Sequence, residues 1–371
     1  GAAPLTRAVA LSPWTGGPLT LSDAVEAQAL LRAAAMRTRG GARLIGMSRW
    51  KRRGVAPLPD GPDGPARAGR GALPVVWGTA NAPPCALRVE DGFLRSVGLG
   101  LRHVHPLSLV IASGRPHFDG GGPTSFDACV AEAAFLPAML TRAAALRQQI
   151  VEMRLSKYNL GEALPLPDPL GCEAILVPGQ VSGDASIRLG ARAVRDDEGL
   201  LAATRQRFPD AFLLYKPHPD TLAGLRRGRL DCETALSYAD ALVERADIAD
   251  CLAWADRVAT ITSLTGFEAL LRGKAVTVFG RPFYAGWGLT DDLDPPSRDR
   301  GLTLDELTAA ALLLYPSYLD PVSRLPAPPE IVVRRLVEAR HAANSLQTGL
   351  PRLYGLVLSW LLNWRPPMFR R

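Results

Sequence analysis

The sequence has few cysteines, few aromatic residues and no apolar run long enough to cross a bilayer. Its five cysteines are widely spaced among 371 residues, and no two of them form a CxxC pair. This spacing argues against a disulfide framework and a zinc site, so reduced cytoplasmic thiols are the simplest interpretation. No signal peptide opens the chain, and we therefore expect a cytoplasmic location.

The excess of positive charge is small and scattered. Lysine and arginine number 43 against 36 aspartate and glutamate residues, which gives a net charge of +7. That balance suits anionic substrates or an anionic membrane surface. The basic residues are not interleaved with aromatic residues, so we expect no nucleic acid among the partners.

An apolar stretch near the C-terminus, Leu353–Trp364, is only about a dozen residues long. A membrane-spanning helix needs roughly 20. The stretch is flanked by arginines, which are Arg352, Arg365, Arg370 and Arg371. Two interpretations stay open: a helix lying on an anionic membrane surface, with tryptophans at the boundary, or a C-terminal helix packed on the body of the protein.

The length suits two domains of roughly 150 residues each. Short apolar runs alternate with longer helical patterns, which is typical of α/β folds. The predicted strands are Pro74–Trp77, Ala86–Val89, Glu173–Val177, Ala211–Tyr215, Arg257–Thr262 and Ala275–Phe279. The predicted helices are Asp23–Arg37, Asp127–Arg154 and Leu304–Leu314.

Local signals fix three helix ends. Ser22 is the expected N-cap of the first helix. Thr303 and Glu306 have the spacing of a capping box, and Gly273 stands where a glycine ends a helix. We predict an α/β protein of two Rossmann-like domains with a cleft between them, in which ligands bind outside the carboxyl ends of the strands.

The first motif, Tyr215–Asp220 (YKPHPD), directly follows a predicted strand. Its two prolines fix the loop, while Lys216 and His218 project from it. A rigid cationic loop at a strand end suits a phosphate group. A purely structural turn is the alternative.

The second motif, Thr262–Leu270 (TSLTGFEAL), places Ser263, Thr265 and Gly266 before a helix. Free backbone N–H groups and the helix dipole favour an anion at such a place. Glu268 could accept hydrogen bonds from ribose hydroxyls. Ordinary N-capping by Ser263 or Thr265 is the alternative.

The third motif, Val89–Ser96 (VEDGFLRS), carries two carboxylates at a strand end. One of them suits an acid/base role, and Arg95 suits a fork to a sugar carboxylate. An Asp-Gly turn is the alternative.

The fourth motif, Pro178–Ser186 (PGQVSGDAS), also follows a strand and includes Gln180, Asp184 and Ser186. A nucleophilic aspartate fits this position in a cleft. An Asx turn or an N-cap is the alternative.

Taken together and in this order, the motifs resemble those of the bacterial capsule β-Kdo transferases. LSKYNLG, at 155–161, and FYAGWGLTDD, at 283–292, extend the likeness, which covers about Ile45 to Pro321. Enzymes of this family commonly contain two related modules, and the chain is similar to the second one. The family often has a Tyr-Asp pair where this chain has His117, Phe118 and Asp119, so we carry no function over to that place.

The resemblance implies a GT-B fold, CMP-Kdo as the donor and a retaining double displacement through a Kdo–enzyme adduct. Asp184 would be the nucleophile and Glu90 the acid/base. The expected CMP ligands are Lys216, His218, Ser263, Thr265, Gly266 and Glu268. The expected substrate-binding residues are Arg95, Gln180, Ser186 and Tyr284. Since Lys216, His218 and a helix N-terminus could stabilise the phosphate, we expect neither a metal ion nor another cofactor.

The expected partners are CMP-Kdo, a Kdo-capped glycolipid acceptor, a second transferase module and the cytoplasmic face of the inner membrane. The expected regions are a helical inter-module segment (1–53), an acceptor-side domain (54–168), a CMP-sugar domain (169–321) and C-terminal helices (322–371). Two other functions stay open: a non-catalytic module that binds CMP-Kdo or polymer, and an inverting CMP-sugar transferase.

Overall fold

The computed structural model describes residues 9–37, 41–55, 72–81, 83–98, 104–224, 226 and 228–347. The apolar stretch Leu353–Trp364 lies outside the described residues, so both interpretations of it stay predictions. None of the described helices combines the length and the apolar character that a membrane span requires.

The described residues form fourteen strands, which are β1 Ala10–Leu11, β2 Pro18–Leu19, β3 Ala42–Ile45, β4 Leu73–Trp77, β5 Leu87–Asp91, β6 Ser108–Ala112, β7 Ala174–Pro178, β8 Phe212–Lys216, β9 Ala241–Leu242, β10 Arg257–Thr260, β11 Ala275–Val278, β12 Asp291–Asp292, β13 Pro316–Leu319 and β14 Pro326–Ala327. Every predicted strand is confirmed to within two residues at each end.

The helices are α1 Leu21–Arg37, α2 Arg49–Val55, α3 Ser125–Glu132, α4 Pro137–Glu152, α5 Ala185–Gly190, α6 Asp197–Arg207, α7 Pro219–Leu222, α8 Cys232–Leu236, α9 Ile248–Trp254, α10 Leu264–Leu271, α11 Leu304–Thr308 and α12 Pro329–Gln347. A π-helical turn, Ala309–Leu314, continues α11.

The strands build two six-stranded sheets. The C-terminal sheet has the order β12-β11-β10-β7-β8-β9 and is parallel throughout. The N-terminal sheet has the order β14-β13-β6-β5-β4-β3. In it, β3, β4 and β5 run parallel, whereas β6, β13 and β14 pair antiparallel. Strands β1 and β2 form a separate hairpin.

Strand pairing differs from the predicted domain limits at both ends. Strand β3, within the predicted inter-module segment, pairs with β4 and so extends the N-terminal sheet. Strand β13 lies within the predicted C-terminal domain, yet it pairs with β6 of the N-terminal sheet. The chain therefore returns to the N-terminal domain after completing the C-terminal one.

Local predictions for the helices are partly wrong. The predicted helix Asp127–Arg154 is two helices, because Leu136 is extended and Pro137 begins α4. Ser22 lies inside α1, and Thr20 Oγ1 instead accepts a hydrogen bond from the Asp23 backbone N–H at 3.1 Å.

Two other local predictions are confirmed. Thr303 and Glu306 form the capping box of α11. Gly273 follows α10 with a φ of +69°, a conformation in which glycine carries no Cβ penalty.

An aromatic cluster joins the two domains beneath the cleft. Phe93 of the N-terminal domain stacks on Phe283 of the C-terminal domain, with ring centroids 4.4 Å apart. Phe126 meets Phe283 edge-on at 5.0 Å. All three side chains are buried. The two halves are thus in apolar contact through this cluster, which forms the floor of the cleft.

Candidate active site

A cleft of about 990 Å³ opens between the carboxyl ends of strands from the two sheets. Ten of the twelve predicted site residues line it, and these are Glu90, Arg95, Gln180, Asp184, Ser186, Lys216, His218, Ser263, Thr265 and Glu268. The structure therefore brings all four motifs to one place, although their chemical roles stay predictions.

Glu90 lies on β5 and pairs with Val110 of β6. Burial raises the pKa of its carboxyl group to about 7, and the charges of Asp91 and Asp184 add to the effect against Lys157 and Lys51. A carboxyl group that titrates near neutral pH can both give and take a proton. The carboxylate of Asp184, from the other domain, is within electrostatic reach of it.

Arg95 is buried beside the cleft and already bound within its own domain. Its Nε donates to Asp91 Oδ2 at 2.6 Å, and Nη1 donates to Ser96 Oγ at 2.8 Å. Only 2% of the residue is exposed. The predicted bidentate contact of Arg95 with a sugar carboxylate would therefore depend mainly on the N–H groups of Nη2.

Asp184 precedes α5 in extended backbone, but its side chain does not cap the helix. Its half-buried carboxylate contacts Ser186 Oγ at 3.3 Å. The negative charge of Asp184 also opposes the lowering of the His218 pKa. Asp184 thus stands close to both the acid/base candidate and the cationic loop after β8.

His218 caps α7 through its ring. Nδ1 accepts a hydrogen bond from the Asp220 backbone N–H at 3.1 Å, which places the ring proton on Nε2. Burial, followed by the charges of Lys157, Arg226 and Lys216, lowers the pKa of His218 to about 4, with Asp184 opposing. The ring is therefore neutral near pH 7, with Nε2–H as its available donor.

Lys216 ends β8 with its ammonium group in the cleft wall. Its Nζ donates to the Glu244 carbonyl oxygen at 3.1 Å, and burial lowers its pKa. The YKPHPD loop thus presents one cationic and one neutral donor side by side.

Lys157 is a cation for which the sequence left two interpretations open, the cleft wall or a helix end, and the structure places it in the cleft lining. Its backbone N–H donates to Glu268 Oε1 at 2.7 Å, and Nζ lies 5.2 Å from the centroid of the Tyr158 ring. Burial lowers its pKa, but Tyr158 and Asp91 outweigh that effect and the net shift is upward. The LSKYNLG motif was the available signal, and helix termination explained it equally well.

Ser263 caps α10, as the structural alternative predicted. Its Oγ accepts a hydrogen bond from the Thr265 backbone N–H at 3.2 Å. Gln180 holds the preceding residue in place: Oε1 accepts from the Thr262 backbone N–H at 2.9 Å, and Nε2 donates to Thr262 Oγ1 at 3.0 Å. The amide of Gln180 thus ties the end of β7 to the end of β10.

Gly266 and Tyr284 were predicted as ligand-binding residues, and the structure places both behind the cleft lining, so their ligand-binding roles stay predictions. Each is buried, and neither lines the cleft. The Tyr284 hydroxyl donates to the Ser263 carbonyl oxygen. A Cβ on Gly266 would lie only 2.3 Å from that hydroxyl. The pair therefore positions the Ser263 loop from behind.

Glu268 is buried beside this loop and faces the cleft. Burial raises the pKa of its carboxyl group, and Arg272 opposes the effect. Within the described ranges, no group of three His, Cys, Asp or Glu side chains is placed to hold a metal ion. The expectation of a metal-independent reaction stays a prediction.

The acidic pair at Asp291 and Asp292 has structural partners. Both residues form the short strand β12. Arg207 binds Asp291 at 2.9 Å, while Asp292 accepts from the Gly286 backbone N–H at 2.8 Å.

Comparison with known proteins places these observations in a family. The family described as "Capsule polysaccharide biosynthesis protein" matches residues 171–318. Two Neisseria meningitidis proteins named "Capsule polysaccharide modification protein LipA", from serogroups A and B, are each 37% identical over 364 residues. Those matches cover 92% of this chain and 52% of each relative, so the chain spans about half their length. The Rhizobium meliloti "Lipopolysaccharide-processing protein LpsZ" is 42% identical over 273 residues, 71% of this chain and 60% of the relative.

Two solved structures of Thermosulfurimonas dismutans KpsC share the fold. One is titled a beta Kdo 2,7 transferase, with 30% identity and coverage of 81% of this chain and 99% of its own. The other is titled a beta Kdo 2,4 transferase, with 31% identity and coverage of 78% and 96%. Both superpose with a TM-score of 0.67. The predicted GT-B-like α/β fold and the predicted resemblance are confirmed, and the chain belongs to the capsule polysaccharide Kdo transferase family.

Proposed function

We propose that this chain is a retaining β-Kdo transferase that moves Kdo from CMP-Kdo to a Kdo-terminated, lipid-anchored acceptor. The main support is that Glu90 and Asp184 reach one cleft from two different domains. Two carboxyl groups flanking a sugar carbon are what double displacement requires. Asp184 is the proposed nucleophile and Glu90 the proposed acid/base.

In the first step the Asp184 carboxylate attacks C2 of the donor Kdo. The C2–O bond to the phosphate breaks, and its electron pair leaves with CMP. A covalent Kdo ester on Asp184 results, with inversion at C2. The half-exposed carboxylate, which does not cap α5, is free to approach the sugar.

Groups on the C-terminal wall of the cleft are proposed to stabilise the negative charge of the departing phosphate. The Lys216 ammonium, the Nε2–H of His218 and the backbone at the start of α10 belong to residues that line the same cleft, and they are the proposed donors to the phosphate. Glu268 faces the same place and is the proposed partner of the ribose hydroxyls. Because these groups can stabilise the leaving CMP, we propose that the reaction requires no metal.

In the second step an acceptor hydroxyl attacks C2 while Glu90 removes its proton. The C2–O bond to Asp184 breaks, the carboxylate is regenerated, and the second inversion restores the original configuration. A base with a pKa of about 7 is well matched to this transfer near neutral pH.

The partner module and the membrane location of the chain are also proposals. The chain spans about half of each LipA relative, which supports a second module as its partner. A lipid-anchored acceptor supports action at the cytoplasmic face of the inner membrane.

The deciding experiment is the intact mass of the protein after incubation with fresh CMP-Kdo and no acceptor. We expect a gain of one Kdo in the parent and in Asp210→Ala, a matched control at an exposed aspartate outside the cleft lining. Asp184→Ala should show no gain. A gain in Asp184→Ala would assign the nucleophile elsewhere.

The remaining outcomes separate the alternative functions. Transfer to an acceptor with no adduct in the parent, and with inverted stereochemistry, would establish an inverting transferase. Binding of CMP-Kdo with neither adduct nor transfer would establish a binding module.

A further inference from the structure

Asp197 is a buried carboxylate that has no role in the function proposed above. It is the first residue of α6, and only 5% of it is exposed. Asp197 does not line the cleft, whereas the loop that it contacts does. That loop, Gly179–Asp184, joins β7 to α5 and ends in the proposed nucleophile. A buried charge needs partners that offset its desolvation, so the bonds of Asp197 show what it holds in place.

Both carboxylate oxygens of Asp197 accept hydrogen bonds, and the two donors lie at the ends of neighbouring strands. Oδ1 accepts from the Gln180 backbone N–H at 2.8 Å, just after β7. Oδ2 accepts from the Tyr215 hydroxyl at 2.6 Å, and Tyr215 lies on β8 directly before Lys216. One side chain therefore links the loop of the nucleophile to the strand end that positions Lys216.

Asp197 is charged at neutral pH. Burial raises the pKa of its carboxyl group to about 6, the hydrogen bonds from Tyr215 and Gln180 oppose this effect, and the charge of Asp196 adds to it. Above that pH the carboxylate is ionised, and hydrogen bonds to an ionised acceptor are roughly twice as strong as bonds between neutral groups. Two charge-assisted hydrogen bonds therefore make the link between the two strand ends.

Gly179 shows how closely these parts of the chain approach one another. A Cβ at this position would lie 2.6 Å from Asp197 Oδ2, and 3.1 Å from both the Pro217 Cα and the His218 backbone nitrogen. A side chain there would push Asp197 or the YKPHPD loop out of place. The Gly179 backbone N–H also donates to the Lys216 carbonyl oxygen at 2.8 Å. The two loops and Asp197 thus meet at one point, where glycine leaves the space that they need.

The two loops differ in their other supports. The YKPHPD loop has two prolines, and His218 Nδ1 accepts a hydrogen bond from the Asp220 backbone N–H. The Gly179–Asp184 loop is tied to its neighbours at its first two residues, and it then turns through Gly183, which has a φ of +76°. We therefore expect that removing Asp197 frees the loop of the nucleophile while the YKPHPD loop stays in place.

We infer that Asp197 is a positioning residue for the proposed nucleophile: it fixes the Gly179–Asp184 loop against β8, so that the Asp184 carboxylate is held beside the YKPHPD loop. The inference rests on the proposed function, because that function makes Asp184 the nucleophile and assigns the phosphate to the YKPHPD loop. Loss of Asp197 should slow the attack on C2 rather than weaken donor binding, since a misplacement of about 1 Å can cost about 10²-fold in rate.

The time course of adduct formation tests this, followed by intact mass at several CMP-Kdo concentrations. These data separate the maximal rate constant from the half-saturating donor concentration. Asp197→Ala removes both bonds and should lower the rate constant by about 10–100-fold, while the half-saturating concentration changes by less than about threefold. Asp197→Asn keeps an acceptor for Gln180 and a polar partner for Tyr215, so it should recover most of the rate.

Tyr215→Phe is a second variant, which removes one of the two bonds and keeps the ring. It should lower the maximal rate constant by about 3–10-fold, in the same direction as Asp197→Ala. Melting curves establish a temperature at which the variants are folded. If Asp197→Ala does not fold, the result for Tyr215→Phe decides.

Asp256→Ala is the matched control. Asp256 Oδ2 accepts a hydrogen bond from the Ala174 backbone N–H at 2.9 Å, at the end of β7 that points away from the cleft. Asp256 does not line the cleft. Its loss should lower the stability of the protein without changing either kinetic constant.

Amide hydrogen exchange of the free protein measures the link without any chemistry. In Asp197→Ala, peptides that cover Gly179–Asp184 should exchange faster by about tenfold or more, because the Gln180 N–H loses its acceptor. Peptides that cover Tyr215–Asp220 should change less. In Asp256→Ala the faster exchange should be at Ala174 instead.

A rate constant equal to that of the parent in Asp197→Ala would overturn the inference, as would a change in the half-saturating concentration alone. An equal loss of rate in Asp256→Ala would also overturn it, because the effect would then be one of general stability. Absence of the adduct in the parent would contradict the proposed function. Faster exchange at Gly179–Asp184 in Asp197→Ala would then leave the positioning of the loop standing, and unchanged exchange would overturn that as well.

Discussion

The two walls of the cleft differ in how their polar groups are used. On the C-terminal wall, Gln180 binds Thr262, and Tyr284 holds Ser263 from behind. On the N-terminal wall, Asp91 Oδ1 is buried with no hydrogen-bond partner among the described residues. Internal hydrogen bonds hold the C-terminal wall, although Asp220 Oδ1 on that wall is likewise buried without a hydrogen-bond partner among the described residues.

His117 shows the same property at the floor of the N-terminal wall. It is packed edge-on against Phe93 and Phe283, and its Nδ1 has no hydrogen-bond partner within the described ranges. Burial and the charge of Lys157 lower its pKa to about 3. Under the proposed function, donor binding and proton transfer fall to different domains, so substitutions should separate them.

Glu90→Gln should have a larger effect than the substitutions discussed after it. Removing a general base typically costs about 10²–10⁴-fold in rate, so transfer to the acceptor should fall by that range. The adduct should still form, because its formation uses the other wall. Transfer rate and intact mass measure the two steps, with Glu132→Gln, at an exposed site on α3, as the control. Loss of the adduct as well would mean that Glu90 is needed for adduct formation and not only for transfer to the acceptor.

Lys216→Met should act on the donor step. Loss of a charge-assisted contact to the phosphate should lower kcat/KM for CMP-Kdo by about 10–100-fold. The KM for the acceptor should not change. Initial rates at varied donor and acceptor concentrations separate the two, and Lys274→Met is the matched control. An effect on acceptor KM alone would move Lys216 out of the donor site.

Tyr284→Phe should lower the stability of the protein through the C-terminal wall, because Tyr284 lies behind the cleft lining and contacts no ligand in the proposed function. It removes one of two donors to the Ser263 carbonyl oxygen, which keeps the Gly266 backbone N–H at 3.1 Å, so we expect a loss of about 0.5–1.5 kcal/mol in the free energy of unfolding. Urea denaturation measures that loss. The control is Tyr238→Phe. In the parent, the Tyr238 hydroxyl forms no hydrogen bond with the described part of the chain. Equal stability of the parent and Tyr284→Phe would show that the hydroxyl does not hold the loop.

The smallest expected effects concern pH. Because Glu90 must lose its proton to act as a base, the transfer rate should rise as the pH increases through about 7 and then level off. Asp91→Asn removes a charge that raises the Glu90 pKa, so the midpoint should move down. Lys51→Gln removes a charge that lowers this pKa, so the midpoint should move up. Identical pH–rate profiles would exclude Glu90 as the titrating group.

The sequence predicted the strands and the motif-bearing loops well for a physical reason. Fully buried parallel strands require short apolar runs, and these runs end at prolines and glycines that are visible in the sequence. The carboxyl ends of such strands meet at one edge, which is why four separate motifs could be assigned to one cleft.

The sequence could not distinguish residues that line the cleft from residues directly behind it. Gly266 and Tyr284 belong to the same motifs as true lining residues, and only the packing of the Tyr284 hydroxyl against Gly266 sets them apart. Trp50 and Lys51 were missed because α2 reaches the cleft through long-range packing. The pairing of β13 with β6 joins residues about 200 positions apart, which no local pattern reveals.

That pairing has a consequence for biosynthesis. Strand β6 receives its second neighbour only from residues 316–319, after the whole C-terminal sheet has been translated. During synthesis the N-terminal sheet therefore keeps an open edge while its partner domain folds, and such edges invite association with other chains. Strands β13 and β14, which follow the C-terminal sheet in the chain, complete the N-terminal sheet, so the N-terminal domain finishes folding only after the C-terminal strands have been made.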